Sequence, residues 1–236
     1  MTSTTATSGS SGHWRDYLEL CKPRVVGLIV FTAVIGMFLS TPGAVPLAIL
    51  IPATCGIALA SASAAAINHV AEHRIDALMT RTQNRPLPQG GLNKIQALSF
   101  ALTIGALSMY LLIAFVNVLT AALTFASLIG YAVVYTMYLK YTTPQNIVIG
   151  GAAGAAPPVL GWTSVTGHVD PHALLLFLII FAWTPPHFWA LSLYLTGDYE
   201  NCLLYTSDAA AEGLGVDLGG SRIIKKKRGG GGGGGG

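Results

Sequence analysis

A chain of 236 residues that is 52% hydrophobic and 10% charged, with a mean hydropathy of +0.58, lies far from the usage of an average soluble domain. Its 13 basic and 10 acidic residues leave a net charge of only +3, and no nucleic-acid partner is expected from so small a surplus.

Residues 1–13 form a small, polar opening segment ("MTSTTATSGSSG" to residue 12) that is expected to be disordered. Six predominantly apolar stretches follow, at roughly 25–41, 46–67, 96–116, 118–139, 146–165 and 173–195. About 20 residues rising about 1.5 Å each cross about 30 Å of hydrocarbon, so each stretch is a candidate membrane span. Backbone polar groups in lipid must be satisfied within the segment, which predicts helices. The fold class expected is all-α, a polytopic transmembrane bundle in contact with the lipid bilayer. The first stretch is long for the apolar part of a cleavable leader and starts late, so no such leader is expected.

Basic residues orient the bundle. The loops after the first, third and fifth stretches hold no Lys or Arg. Arg15, Lys22 and Arg24 precede or open the first, Arg74, Arg81, Arg85 and Lys94 lie between the second and third, and Lys140 lies between the fourth and fifth. The positive-inside rule then places the N-terminus and these loops in the cytoplasm. Cys21, Cys55 and Cys202 show neither metal-ligand nor disulfide spacing.

Paired prolines, Pro157–Pro158 and Pro185–Pro186, fall inside predicted spans and should bend them. With Gly150, Gly151 and Gly154 such bends would widen a pocket; equally, they are kinks satisfied by neighbouring helices.

Beyond Asn201 the text changes to "CLLYTSDAAAEGLGVDLGGSRIIKKKRGGGGGGGG". Its first part resembles a translated sequencing adapter, the lysines a poly-A run and the glycines a poly-G run. Residues 202–236 are therefore expected to be a non-native tail, set aside from the fold. Up to Asn201 the chain holds eight basic and seven acidic residues, so most of the positive surplus sits in the tail.

Charge is concentrated in one place, "NHVAEHRIDALMTRTQNRPLPQ" at 68–89, with two acids, three arginines and two histidines. Asn68, Glu72 and Asp76 are spaced by four, which on a helix rotates about 40° per step and puts all three along one face. Each step rises about 6 Å, too far for one small ion to be chelated by all three. The row suits an extended anion, with Mg²⁺ bridging one or two carboxylates and phosphate oxygens. Arg81 and Arg85 follow on a loop ended by Pro86, and guanidinium forks suit phosphate. A diphosphate site at a membrane surface is one reading; a solvated loop whose arginines only set topology is the other.

This stretch resembles the first acidic motif of the UbiA-type membrane prenyltransferases, in the form of their protohaem IX farnesyltransferase (haem O synthase) branch. "CKPRVVGLIVFTAVIGMFL" at 21–39, "YTMYLKYTTPQNIVIGGAAGAAPPVLGW" at 135–162 and "FAWTPPHFWALSLYLTGDY" at 181–199 carry the same resemblance, which covers about 14–201. It implies a nine-helix bundle, of which six spans fall within 14–201, around a cavity near the cytoplasmic side of a bacterial inner membrane. It further implies farnesyl transfer from farnesyl diphosphate to a vinyl group of haem b with Mg²⁺ as cofactor. The product, haem O, would pass towards terminal oxidases, with haem A synthase or oxidase assembly factors as further partners.

Carried over by the resemblance, Asn68, Glu72 and Asp76 form the first metal–diphosphate motif, and Arg81 and Arg85 contact the diphosphate. Lys140 is the remaining cation of its loop, since Tyr141 stands where a basic residue is expected. Asp198 begins the second acidic region, the rest of which is missing, so the chain as given is expected to be inactive. His187 in "PPHFW" is a candidate haem contact, or else an interior histidine; His69 and His73 are expected to be local hydrogen-bonding partners. Two other functions fit less well: prenylation of an aromatic quinone precursor, and transport through a midplane site.

Overall fold

The computed structural model describes residues 14–76, 85–87, 89–139 and 146–194. Among these, every regular element is helical. The expected disordered opening segment and the tail after Asn201 lie outside the described residues.

Helices α1 (Trp14–Leu20) and α2 (Pro23–Leu39) meet at a bend of 52°. Pro23 suits a first helical position, where its missing amide hydrogen costs nothing. Lys22 just before it has φ 49° and ψ 63°, the one positive φ outside glycine among the described residues. A left-handed lysine costs about 1–2 kcal/mol, so packing must hold it there. α1 supplies that packing: Leu20 is fully buried with Ala66, Leu92, Ala97 and Ala101, and the Tyr17 ring lies 5.0 Å from that of Phe100.

Helix α3 (Leu47–Asp76) runs nine residues past the predicted 46–67 stretch. Hydropathy ends at residue 67, but Asn68, His69 and Glu72 are themselves buried, so the helix continues through them. α4 (Lys94–Phe115) opens on a capping box. The Asn93 side chain accepts from the Gln96 amide at 2.7 Å, and the Gln96 side chain accepts from the Asn93 amide at 3.0 Å. α3 and α4 pack through small polar residues, as membrane helices do where no hydrophobic force separates helix from lipid. Ser63 donates to the Ala101 carbonyl at 2.8 Å, and Ser108 to the Gly56 carbonyl at 2.6 Å.

Asn117 caps α5 (Val118–Ile129) by accepting from the Thr120 amide at 2.8 Å, and its amide group donates to the Thr163 carbonyl at 2.9 Å. α5 passes into a π-helical segment, Gly130–Leu139. The predicted 146–165 span is two ten-residue helices, α6 (Asn146–Ala155) and α7 (Pro157–Thr166). The break falls where Pro157 removes a donor and starts the helix afresh. α7 lies so close to α2 that a Cβ on Gly161 would run into the Ala33 carbonyl, and one on Gly36 into that of Pro158.

Gly167, at φ 72°, turns the chain towards α8 (Pro171–Tyr194), which keeps Pro185 and Pro186 within it. Asp170 caps this helix, its Oδ1 2.8 Å from the His172 amide and 2.7 Å from the His172 ring. Those two hydrogen bonds hold the Asp170 carboxyl below its ordinary range.

Leu47–His73, Lys94–Phe115 and Val118–Thr136 are each long and apolar enough to cross a bilayer. α1 and α2 add a fourth if the bent pair is one span, and Pro171–His187 is apolar but shorter. With large side chains such as Leu102, Tyr110 and Phe125 turned outward, this is an integral membrane helical bundle.

Candidate functional site

The C-terminal turns of α3 carry the amide, imidazole and charged side chains that its apolar part lacks. Asn68 is 3% exposed and Glu72 7%, one turn apart on a face turned towards the π segment and α2. Lys22, fixed in its left-handed conformation between α1 and α2, donates from Nζ to Asn68 Oδ1 at 2.7 Å. Asn68 Nδ2 donates to Thr136 Oγ1 at 3.3 Å, and that hydroxyl donates to the Tyr131 carbonyl five residues back at 2.9 Å. The wider turn of a π-helix thus seats Thr136 against Asn68. Such turns recur at functional sites.

Arg85 reaches the same region. Its loop is pinned by buried Pro86, whose carbonyl accepts from the Gly91 amide at 2.9 Å, and by Leu92 in the core that holds Leu20. Gly90 takes φ 77°, which lets the loop turn back into α4. Arg85 and Glu72 both lie within electrostatic reach of Tyr131, and Arg85 and Lys22 within that of His69.

Below this polar cluster opens a cavity of about 400 Å³ whose wall includes Lys22, Val26, Ala64, Thr124, Tyr131 and Gly154. That volume lies within the range of small-molecule sites. Its width comes from missing side chains, alanines on α3 and glycines on α6. Lys22 belongs to both cavity wall and polar cluster, so a ligand with an anionic head and an apolar body could satisfy both.

The oxygen donors suit a hard divalent cation. Asn68 and Glu72 offer a carbonyl and a carboxylate one turn apart, and Asn68 Oδ1 already attracts the Lys22 ammonium. Among the described residues no group of three His, Cys, Asp or Glu makes a closed cage. A hard ion such as Mg²⁺ is commonly held by a few such donors together with the oxygens of a bound ligand.

The predicted residues divide as follows. Asn68, Glu72 and Arg85 come together. Asp76 is the last residue of α3, and its side chain lies outside the described residues, as do Arg81, Lys140 and Asp198. His187 is exposed on α8, its ring stacked 4.4 Å from Trp183, while the wall of the cavity takes Thr184 from this helix. Sequence reasoning passed over Lys22, Tyr131 and Thr136. Lys22 does leave a signal, a charge beside Pro23 at the mouth of an apolar stretch, but charge at a span's end points to topology before it points to a site.

The UbiA prenyltransferase family profile matches residues 29–204. A protein of Alkalilimnicola ehrlichii named protoheme IX farnesyltransferase is 64% identical over 196 residues, which cover 83% of this chain and 65% of that protein. Its namesake from Methylococcus capsulatus is 62% identical, with 82% and 67% covered. The chain thus spans about two thirds of the length of these relatives. Among solved structures, a UbiA homolog from Archaeoglobus fulgidus bound to GPP and Mg²⁺ aligns with a TM-score of 0.67 at 18% identity, covering 84% of this chain and 72% of that one. A digeranylgeranylglyceryl phosphate synthase aligns with a TM-score of 0.67 at 19% identity, covering 79% and 65%. At such identities the likeness concerns the fold.

Proposed function

From the premise that this chain belongs to the UbiA prenyltransferase family, we propose that its protein transfers the farnesyl group of farnesyl diphosphate to a vinyl group of haem b, giving haem O. The observation that carries this reading is 64% identity over 196 residues to a relative named protoheme IX farnesyltransferase. The site has the matching shape: a cationic and carboxylate-bearing mouth over an apolar cavity.

In this reading Lys22 and Arg85 hold the diphosphate oxygens, and Lys22 moves from Asn68 to phosphate as substrate arrives. Asn68 and Glu72, with Asp76 and Asp198, would hold Mg²⁺, which when bound stabilises negative charge on the leaving diphosphate. The cations of the chain act in the same sense as the allylic C–O bond breaks. The apolar wall keeps water from the allylic cation until the electron-rich vinyl carbon captures it. Water then adds to the carbocation left on the substituent and loses a proton, leaving a hydroxyethyl group. Arg81 and Lys140 complete the cationic rim, and His187 contacts haem. The membrane is the bacterial inner membrane, with the mouth of the site in the cytoplasm.

The test joins residues 14–201 to the C-terminal third of the Alkalilimnicola ehrlichii relative and supplies farnesyl diphosphate, haem b and Mg²⁺ in detergent. Haem O by chromatography and mass is the expected product. Prenylation of an aromatic quinone precursor, with haem b left unchanged, would overturn the assignment.

A further inference from the structure

His69 is the most deeply enclosed polar ring of the site. It is 2% exposed, and among the described residues neither Nδ1 nor Nε2 has a hydrogen-bond partner. Five buried side-chain polar atoms lack partners among these residues, and His69 alone accounts for two of them. The nearby His73 behaves otherwise, its Nδ1 3.0 Å from the Val70 carbonyl. Local hydrogen bonding, expected of both histidines, holds for His73 and fails for His69.

A buried polar group left without a partner is destabilising, so native structures rarely keep one without a use. The position of the ring supplies the use. Ser61 and Ala65 on α3 line the cavity, and residue 69 continues their row one turn nearer the charged mouth. Asn68 beside it is already engaged at both ends of its amide, by Lys22 and Thr136. Lys22 and Arg85, two cations on long flexible stems, lie within electrostatic reach of the ring. A partner arriving between two cations is an anion. A neutral imidazole always has one N–H to donate to an anionic oxygen, and its other nitrogen accepts.

Resting on the proposed reading of this mouth as a diphosphate site, we infer that His69 is a ligand of the diphosphate, donating one ring N–H to a phosphate oxygen that replaces its missing partner. Both nitrogens are covered in the ligand-free state, so binding rearranges the cover over the ring. The displacement of Lys22 from Asn68 to phosphate provides such a rearrangement. The ring acts through hydrogen bonding and needs no change of protonation.

The test uses the same chimaera of residues 14–201 with the C-terminal third of the Alkalilimnicola ehrlichii relative, in detergent, with inorganic diphosphate and Mg²⁺ as the probe, titrated calorimetrically into its wild-type form and its His69→Leu and His69→Asn variants. Leu should weaken diphosphate binding about 10-fold or more, as loss of a charge-assisted hydrogen bond does. Asn, which retains N–H donors, should stay within about threefold of wild type. Without ligand, the melting midpoint of His69→Leu should equal or exceed that of wild type, because an orphaned polar ring has been replaced by an apolar one. Equal affinity in the Leu variant would overturn the assignment. So would a lowered ligand-free midpoint or a Leu chain that fails to fold, since either means the ring serves packing. Asn as weak as Leu would overturn it as well. Failure of wild type itself to bind diphosphate would overturn the diphosphate reading together with this one, whereas binding by wild type and Leu alike would overturn this one alone.

Discussion

Lys22 and Asn68 lie 46 positions apart in sequence and 2.7 Å apart in space. A charge-assisted hydrogen bond of this kind contributes about 1.5–3 kcal/mol, or roughly 10- to 100-fold in affinity when the cation is transferred to a bound anion. In the completed chimaera, on the proposed reading, Lys22→Met should therefore raise the KM for farnesyl diphosphate by that factor and weaken inhibition by inorganic diphosphate equally. Lys22→Arg should recover much of both, because its charge reaches the same oxygens. Glu72→Gln differs in kind: it removes a carboxylate that would hold Mg²⁺ as the leaving group gathers charge. Turnover should fall by about 10²-fold or more, with the melting midpoint little changed, since the amide keeps the shape and loses only charge. Kinetics of both variants at saturating Mg²⁺ check the distinction. The pairing of Asn68 with Glu72 on α3 was legible because a spacing of four along one helix is written in the sequence. Lys22 and Thr136 were not, because a contact between distant elements leaves no period to read.

Glycines show the same limit at the scale of whole elements. Gly161 and Gly154 look alike in the sequence, five glycines lying between 150 and 167. In the structure Gly161 faces the Ala33 carbonyl across the α2–α7 contact, whereas a Cβ on Gly154 would meet nothing within 4 Å. Gly161→Leu must push α2 and α7 apart, an overpacking that costs about 1–3 kcal/mol or more, and should lower the melting midpoint of the protein in detergent. Gly154→Leu, on a residue lining the cavity, should leave that midpoint unchanged or raise it, since leucine is the better helix former. On the proposed reading it should nevertheless depress prenyl transfer, by filling part of the cavity that would take the prenyl chain. A thermal melt beside a turnover assay separates the two. Helix existence was readable from hydropathy for the stretches that became α3, α4 and α5. The bend at Lys22 and the π register after Ile129 were not, because each is imposed by tertiary partners: Leu20 in its core, and Thr136 against Asn68.

The whole molecule has two unlike ends. One carries the turn at Lys22, the buried Asn68 and Glu72, Arg85 and the Asn93 cap of α4. The other carries the turns at residues 40–46, the Asn117 cap and the Asp170–His172 capping pair, with no lysine or arginine in any of them. A bundle built this way has its orientation written in its charges, because basic residues resist translocation. On the proposed reading, a diphosphate substrate, which cannot cross hydrocarbon, would then approach from the cytoplasmic side, where the mouth with Lys22 and Arg85 would stand. Single cysteines placed at exposed positions report the orientation directly, in a background with Cys21, Cys55 and Cys202 replaced by alanine. His168→Cys, in the turn before α8, should react with a membrane-impermeant maleimide on intact spheroplasts. Asn93→Cys would remove the cap of α4, so Lys94→Cys is the better reporter at the opposite end, and it should label only after the membrane is opened. Labelling of Lys94→Cys on intact spheroplasts, with His168→Cys protected, would invert the topology.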